Sequence, residues 1–526
     1  MLSSLAHRKV TMANPSTADA TSELPPPCGE RYTLEPESEL RLEVPHGQSA
    51  ILYLMDGSAE VFGAELARNR PYDLGFPGGC KVAIFTWHGC TLDVDGRGKA
   101  LDIVYVSDET NANVSYVNTH AQLEAIRDEA LTRLNADPDG DVDGPRVLLA
   151  GPADSGKSAL ARVLCAYAVK CGRTPLLADL DVALPMLSVP GTVGVSPVTP
   201  DAVSPEAHMS PDGGIPGGDG IAPLVLWYGS SEMKTNPQLY KAQLKKLGKD
   251  MDARLSGDAD ARASGVIINA GGWIDGKGYE LLLHAADTLR ANVILVMGHD
   301  RLYSMLTTHF RKRADSKAEK EVVVPATGSQ GQDAATKSRK AQRQDFPKVI
   351  KLPRSGGVVS RDDGFRRACR NQSIRRYFHG EKIMKKENTS GSDSGIGGAG
   401  STERCRYTPF LVELPFSALR MYRLSSVSLS AALLPVSAKQ STDPVQLTSA
   451  EMGPGFKHAI MAVCHPSAVK AYESSGEAKD LYLSGVAGFV AVEKVDSDRE
   501  VVSLLSPCAG SLPSGTLLVG DITWME

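Results

Sequence analysis

The residues best suited to carry chemistry form one glycine-rich run at positions 151–158 (GPADSGKS), here called the P-loop. It satisfies the pattern G-x-x-x-x-G-K-[ST], in which backbone N–H groups and the following helix N-terminus face phosphate oxygens. In such a loop Lys157 reaches the β- and γ-phosphates, and the hydroxyl of Ser158 ligates Mg²⁺. The residues predicted to contact the nucleotide are Gly151, Asp154, Ser155, Gly156, Lys157, Ser158 and Ala159. A plain glycine turn is the alternative, but an apolar strand before the run and a helix after it favour a site for ATP and Mg²⁺.

A carboxylate follows the next predicted strand. Residues 176–181 (LLADLD) place Asp181 just past an apolar run. Because ligands of open α/β sheets bind beyond the carboxyl ends of the strands, Asp181 is predicted to lie beside the P-loop. There it could ligate Mg²⁺ or act on the nucleophile. An acidic loop without a chemical role is the alternative.

These residues need an α/β framework to hold them. Predicted strands and helices alternate after residue 145, which indicates a mostly parallel sheet with helices on both faces. The predicted strands are 146–150, 175–180, 224–228, 265–269 and 292–297, and the predicted helices are 157–168 and 279–289.

The regions on either side have the patterns of β structure. Short apolar–polar alternations at 40–44, 51–55, 59–62 and 82–87 are separated by glycine turns, which indicates an all-β sandwich or barrel. Residues 120–134 repeat apolar side chains at helical spacing, so they are predicted to form a linking helix. Alternation returns after residue 406, with strands predicted at 481–483 and 485–492.

The predicted fold class is multi-domain, with an N-terminal β-sandwich, a central α/β P-loop domain with a parallel sheet, and a smaller β-rich C-terminal domain. Stretches rich in Pro, Gly, Ser and charge are predicted to be disordered. The predicted layout is a disordered tail at 1–29, the sandwich at 30–115, a linking helix and loop at 116–144, the P-loop domain at 145–385 with disordered insertions at 198–220 and 312–344, a flexible linker at 386–403, and the C-terminal domain at 404–526.

Composition excludes several classes of function. The net charge of −5 disfavours a protein that coats nucleic acid, so RNA contacts must come from local basic patches. The nine cysteines include no C-x-x-C pair, which disfavours a structural zinc site and indicates a reducing compartment. The sequence contains no apolar run of about 18 residues, so no membrane span is predicted. A cytosolic or nuclear protein fits these features.

Several segments together resemble the polynucleotide 5′-hydroxyl kinase family, and more narrowly the ATP-binding subunits of the pre-mRNA cleavage complex (cleavage factor IA or II). The segments are the P-loop, the strand ending at Asp181, and residues 34–44, 59–66, 85–90, 189–194, 352–359, 361 and 365–367. The similarity runs from about residue 30 to the C-terminus, is weakest in the last domain, and is absent from the polar insertions.

The resemblance implies roles for residues outside the P-loop. Glu39 and Lys81 correspond to residues of the N-terminal domain that contact the adenine end of ATP. Asp181 corresponds to the carboxylate that orients or deprotonates the 5′-hydroxyl of RNA. Phosphoryl transfer depends mainly on positioning and charge neutralisation, so these assignments are physically consistent.

The resemblance also implies contacts to RNA and to the γ-phosphate. Trp273 corresponds to a clamp residue on which the terminal nucleotide rests. An indole can stack on any base, so its chemistry suits that role. The alternative is that Trp273 is an aromatic residue buried in the core. Arg361 and Arg366 correspond to lid arginines, although a solvated helix face would show the same spacing.

The implied setting is the nucleus. A member of this family would be a subunit of the 3′-end processing machinery, required for endonucleolytic cleavage coupled to polyadenylation. Its partners would be other cleavage and polyadenylation factor subunits, including the scaffold protein of the cleavage factor, and RNA 5′ ends.

The sequence departs from the active members of the family at one turn. They read Asp-Val-Gly-Gln where this chain has Asp181, Val182, Ala183 and Leu184. Leu184 lacks the amide of Gln, and Ala183 is unfavourable if the turn needs positive φ. The sequence therefore favours an assembly subunit that holds ATP mainly as a structural ligand, with an active RNA 5′-hydroxyl kinase as the alternative. A P-loop GTPase is disfavoured, because it would carry a guanine-reading segment of the form Asn/Thr-Lys-x-Asp. Residues 299–301 (HDR) occupy that region instead.

Overall fold

The computed structural model describes residues 29–96, 101, 103–137, 140, 142–214, 221–322, 346–380, 407–426 and 445–525, with the side chains of 317–322 and 426 excepted. The predicted tail, apart from residue 29, and the predicted linker at 386–403 lie outside these residues. Along the described ranges, no helix combines the length and the apolar character needed to cross a membrane.

The N-terminal domain is a sandwich of two sheets. Its strands are β1 (Glu30–Leu34), β2 (Ser38–Val44), β3 (Ile51–Gly57), β4 (Glu60–Val61), β5 (Ala64–Glu65), β6 (Pro71–Asp73), β7 (Cys80–Thr86), β8 (Cys90–Asp95) and β9 (Ile103–Ser107). One sheet has the order β1-β8-β3-β6 and the other β5-β4-β7-β2-β9, and the pairings within them are antiparallel. Leu52 and Leu92 of the first sheet pack against Leu40 and Ile84 of the second, because strand alternation turns these side chains inward.

The central domain is built on a seven-stranded sheet. Its strands are β10 (Arg146–Ala150), β11 (Leu176–Asp179), β12 (Thr192–Pro197), β13 (Leu224–Trp227), β14 (Val266–Asn269), β15 (Val293–Met297) and β16 (Lys348–Leu352), in the order β13-β12-β11-β14-β10-β15-β16. Only β12 runs opposite to the other six strands of this sheet, so the predicted mostly parallel sheet is confirmed.

Helices cover both faces of this sheet. The helices of this domain are α1 (Asn111–Ala136), α2 (Lys157–Lys170), α3 (Pro205–Met209), α4 (Pro237–Ser256), α5 (Ala259–Ser264), α6 (Lys277–Thr288), α7 (Asp300–Val322) and α8 (Asp363–His379). Of these, α4, α6 and α7 pack on one face of the sheet, and α1 and α2 pack on the other. Leu148 points into the core shared with α4 and α6, whereas Val147 and Leu149 point into the core shared with α1 and α2. Burial on both faces explains why β10 is apolar almost throughout.

The C-terminal domain contains a second seven-stranded sheet with the order β17-β22-β21-β20-β23-β18-β19. Its elements are β17 (Phe410–Pro415), β18 (Arg420–Ser426), β19 (Val445–Ala450), β20 (Ala459–Cys464), β21 (Val486–Asp496), β22 (Val501–Ser506), β23 (Thr516–Thr523), α9 (Pro466–Ser475) and α10 (Lys479–Tyr482). It packs on the central domain. At this contact Trp524 stacks on Phe378, and the ring centroids of Trp227 and Phe489 lie 5.5 Å apart. The predicted three-part fold class is confirmed.

The structure corrects the prediction of disorder at 198–220. Residues 198–214 are folded: α3 begins at a Ser204 cap, and Met209 joins the core of the sandwich. The Pro and Gly residues of this segment form turns, and its apolar side chains are buried between two domains, so its composition resembles that of a disordered loop. Residues 215–220 lie outside the described residues.

Two other predictions fail at element level. Helix α7 continues to Val322, so the predicted disorder from residue 312 begins too early, and 323–344 lie outside the described residues. Residues 481–483 were predicted as a strand, but Leu481 and Tyr482 belong to helix α10 and face the core. An apolar run of three residues has no measurable period, so either structure was open to it.

Candidate functional site

A cavity of about 650 Å³ lies where the sandwich meets the central domain. Strands β2, β7 and β9 form one wall, and the P-loop with the start of α2 forms the floor. The remaining lining comes from residues 60, 62, 113, 116, 181–184, 211–213, 231–234, 272–273 and 355–366. Apart from Gly151, every residue predicted for the site lines this cavity: Glu39, Lys81, Asp154, Ser155, Gly156, Lys157, Ser158, Ala159, Asp181, Trp273, Arg361 and Arg366.

The P-loop connects β10 to α2, and its shape depends on glycine. Gly156 adopts φ = +91° immediately before the helix, a conformation that side chains other than glycine rarely tolerate. A Cβ at this position would also lie 3.1 Å from the side chain of Val358, which belongs to the opposite wall. Gly151 lies behind the cavity, where a Cβ would meet the hydroxyl of Ser155 at 2.8 Å.

Lys157 is 6% exposed, and its Nζ donates a hydrogen bond of 2.7 Å to the carbonyl oxygen of Pro152. Burial lowers the pKa of Lys157, and the nearby carboxylates of Asp181 and Asp154 oppose that shift. The hydroxyl of Ser155 is buried without a hydrogen-bond partner among the described residues. A buried ammonium and an unpaired hydroxyl at the base of a cavity suit a bound anion.

The lid is the segment 355–366, which faces the P-loop across the cavity. The backbone N–H of Arg361 donates a hydrogen bond of 3.0 Å to Oδ2 of Asp154, and the guanidinium of Arg366 donates one of 2.5 Å to the same oxygen. Asp154 itself has φ = +54°, which an Asp side chain tolerates better than most. Asp154 therefore anchors the two lid arginines, a role beyond the nucleotide contact predicted from its place in the loop.

Glu39 and Lys81 bring the sandwich to the cavity. Oε1 of Glu39 accepts a 2.6 Å hydrogen bond from Arg41, and burial raises the pKa of Glu39 despite this partner. Nζ of Lys81 lies 2.8 Å from Oε2 of Glu43 and 5.8 Å from the ring centroid of Phe365, which follows the lid arginine Arg361. The sandwich thus contacts both the cavity and the lid.

Trp273 is half-buried, lines the cavity and packs against the core of the central domain. Its indole lies against the backbone of Gly278, where an added Cβ would be only 2.6 Å from Cγ of the ring. Gly272 is pressed against the P-loop, since a Cβ there would be 2.7 Å from the backbone nitrogen of Ala153. Trp273 is therefore neither fully buried in the core nor free on the surface.

The turn after Asp181 does not require glycine. Ala183 is not among the residues with positive φ, and its N–H donates 3.0 Å to Oδ1 of Asp181. The expected strain from Ala at this position is therefore absent. Leu184 lines the cavity with an apolar side chain.

Sequence reasoning missed Asp179 and Asn269. Asp179 is completely buried, and burial together with the neighbouring Asp181 raises its pKa to about 7. Asn269 ends β14, and its Nδ2 donates to Oδ1 of Asp179 at 2.9 Å and to the hydroxyl of Ser158 at 3.4 Å. The only sequence signal was that both are polar residues at the ends of apolar strands.

Arg162 was also missed, although it follows Ser158 by one helical turn. Its guanidinium lies 4.2 Å from the ring centroid of Phe62 in the sandwich and donates 2.6 Å to the carbonyl oxygen of His208. Burial and the nearby Arg361 lower the pKa of Arg162 to about 9. Arg162 therefore joins three parts of the chain at the base of the cavity.

The residues present fit Mg²⁺ and a nucleotide triphosphate. Ser158 offers a hydroxyl, Asp181 a carboxylate, and Oδ1 of Asn269 is buried without a partner among the described residues. Oxygen donors of this kind are the ligands and outer partners that Mg²⁺ prefers. Lys157, Arg361 and Arg366 supply the positive charge that a triphosphate would need.

Comparison with known proteins gives three family matches in chain order. Residues 33–130 match the N-terminal beta-sandwich domain of polyadenylation factor, 151–344 match the mRNA cleavage and polyadenylation factor CLP1 P-loop, and 407–526 match the pre-mRNA cleavage complex II protein Clp1.

The chain is also similar to known proteins over nearly its whole length. It is 32% identical over 496 residues to the polyribonucleotide 5'-hydroxyl-kinase Clp1 of Homo sapiens and of Bos taurus, covering 94% of this chain and 96% of each relative. The corresponding protein of Gallus gallus is 33% identical over 498 residues. Among solved structures, the Clp1p chain of a wild-type Clp1p–Pcf11p complex has a TM-score of 0.68 and 20% identity, covering 94% of this chain and 98% of that one.

Proposed function

This chain belongs to the Clp1 family of pre-mRNA cleavage complex proteins, and from this premise we propose that it is an ATP-binding subunit of the 3′-end cleavage and polyadenylation machinery. In this role ATP with Mg²⁺ is held mainly as a structural ligand, and the assembled subunit is required for endonucleolytic cleavage coupled to polyadenylation. The family resemblance supplies the setting, and the cavity supplies the reason for the ligand.

The observation that carries the proposal is the composition of the cavity wall. Glu39 and Lys81 come from the sandwich, Lys157 and Ser158 from the P-loop, and Arg361 from the lid. A nucleotide bound there would contact the sandwich, the P-loop and the lid, and its phosphates would neutralise the charges of Lys157 and Arg361. Because such a ligand binds only the folded arrangement, it would stabilise that arrangement by mass action.

The proposed partners are other subunits of the cleavage factor, above all its scaffold protein, and the proposed location is the nucleus. Support comes from the solved Clp1p, whose structure is that of a complex with Pcf11p, and from the family's place in the cleavage complex. A subunit whose domains are held together by ATP would present one fixed surface to such a scaffold.

A second candidate function is an active RNA 5′-hydroxyl kinase. The specific observation in its favour is that Lys157, Asp181, Trp273, Arg361 and Arg366 all line one cavity. Bound Mg²⁺ would supply charge neutralisation at the phosphates. Asp181 would accept the proton of the 5′-hydroxyl, the arginines would stabilise the charge of the transferred group, and Trp273 would stack on the terminal base.

Leu184 decides the order of the two candidates. Its apolar side chain stands where active relatives have the Gln of Asp-Val-Gly-Gln, so position 184 offers no side-chain amide to the cavity. Losing one donor aimed at a developing charge costs on the order of a hundredfold or more in rate. We therefore place the structural role of ATP first.

The test is a labelling assay on the purified protein. RNA with a 5′-hydroxyl end is incubated with γ-labelled ATP and Mg²⁺, and Asp181→Asn serves as the inactive control. We expect labelling no higher than in the control, together with ATP recovered from the protein. Labelling at the rate of an active family member would reverse the order of the two functions.

A further inference from the structure

Asp179 is held at the end of β11 by three hydrogen bonds. Its carboxylate accepts the backbone N–H of Asp181 at 3.2 Å, the backbone N–H of Met186, and the side-chain amide of Asn269 at 2.9 Å. Two of these donors belong to the turn 180–186, which carries Asp181 and Leu184. The position of that turn is therefore set by Asp179.

Asn269 connects this arrangement to the P-loop. In the sheet it pairs with Asp179 of β11 on one side and with Leu149 of β10 on the other. Its Nδ2 lies between Asp179 and the hydroxyl of Ser158, at 2.9 Å and 3.4 Å. Its Oδ1 is buried and has no hydrogen-bond partner among the described residues.

We propose that Asp179 and Asn269 are positioning residues that hold the Ser158 hydroxyl and the Asp181 turn at the spacing needed to bind Mg²⁺ with ATP. The proposal rests on the nucleotide-binding function proposed above. It assigns no direct phosphate contact to either residue.

The physical reason lies in where the two metal ligands come from. Ser158 is on α2, whereas Asp181 follows β11, and β14 lies between β11 and β10, the strand that leads into the P-loop. Asn269 at the end of β14 is the side chain that bridges them. Outer partners that orient the ligands of a metal ion typically contribute about 10- to 100-fold to its affinity.

A merely structural role is the competing explanation, because both residues are buried. It predicts that substitution lowers the melting temperature and affects ATP binding equally with and without Mg²⁺. A positioning role predicts that the Mg²⁺-dependent part of ATP affinity is lost while the metal-free part remains, since Lys157 and the P-loop backbone are untouched.

The experiment measures ATP affinity of the full chain by calorimetry, after bound nucleotide has been removed, in Mg²⁺ and in EDTA, for wild type, Asp179→Asn and Asn269→Ala. Asp179→Asn keeps the size of the side chain and one acceptor oxygen, so folding should survive. The matched control is Asp93→Asn, because Asp93 is a buried carboxylate on β8 that does not line the cavity. Melting temperatures of the four proteins report any general destabilisation.

We expect both site variants to lose about 10- to 100-fold in affinity for ATP with Mg²⁺ and to match wild type in EDTA. The control should match wild type in both conditions. Unchanged affinity with Mg²⁺, or an equal loss in Mg²⁺ and EDTA, would overturn the proposal. Wild-type protein without affinity for ATP would instead contradict the proposed function itself, and the positioning role with it.

Discussion

Acidification should weaken this fold through one buried imidazole. His208 lies on α3, in the wall segment that separates the sandwich from α2, and is 1% exposed. Its Nδ1–H donates to the carbonyl oxygen of Val61 at 3.3 Å, and its Nε2 is buried without a partner among the described residues. Burial and the Arg162 guanidinium lower the pKa of His208 to about 3.

The size of the effect follows from the difference between folded and unfolded pKa. An unfolded His has a pKa near 6.5, so between that value and about 3 only the unfolded chain takes up the proton. The stability that neutral His208 provides is therefore complete above about pH 6.5 and is lost as the pH falls. At about pH 5.5 the loss is about 1.4 kcal/mol, or about 3 to 5 °C in melting temperature for a domain of this size.

Thermal melts of wild type and His208→Asn at about pH 8 and pH 5.5 test this reasoning. Asn offers a comparable N–H to Val61 but takes up no proton, so His208→Asn should lose about 1.4 kcal/mol less than wild type on acidification. The control is His46→Asn, because His46 is exposed on the sandwich. Equal losses of stability in wild type and His208→Asn would refute the claim that His208 is buried in its neutral form between the sandwich and α2.

Three further predictions concern the nucleotide. Lys157→Ala combined with Ser158→Ala removes the phosphate charge partner and a metal ligand, so protein purified from that variant should carry no ATP; undiminished nucleotide would exclude the P-loop site. Removing ATP from wild type should lower the melting temperature and expose residues 30–106 to protease faster than the P-loop domain, and identical digestion patterns would contradict a bridging ligand. Leu184→Gln should raise 5′-hydroxyl labelling about tenfold or more. Ala183→Gly alone should have no effect, because Ala183 does not have a positive φ. A larger gain from Ala183→Gly than from Leu184→Gln would contradict this interpretation of the turn.

Much of the fold and part of the site could be predicted because the signals are local. The P-loop is one contiguous pattern, and β10 was predicted with its observed ends, Arg146 and Ala150, because an apolar run meets the glycine turn directly. The three-domain fold followed from the change in pattern between the parts of the chain.

The rest could not be predicted because it depends on contacts between distant segments. Asp179 and Asn269 matter only because β11 and β14 are neighbours in register, which no spacing in the sequence reveals. Arg162 gains its role from Phe62 and His208, which lie on two other parts of the chain. Segment 198–214 has the composition of a loop, yet its packing between two domains orders it.

The central claim is that this chain holds intact ATP at the junction of its domains. The most direct measurement is the nucleotide released when freshly purified, full-length protein is denatured, quantified by chromatography against protein concentration. We expect about one equivalent of uncleaved ATP per chain, bound with Mg²⁺ and unchanged after incubation with 5′-hydroxyl RNA. Protein that carries no adenine nucleotide, or ATP that is consumed as the RNA becomes phosphorylated, would contradict it.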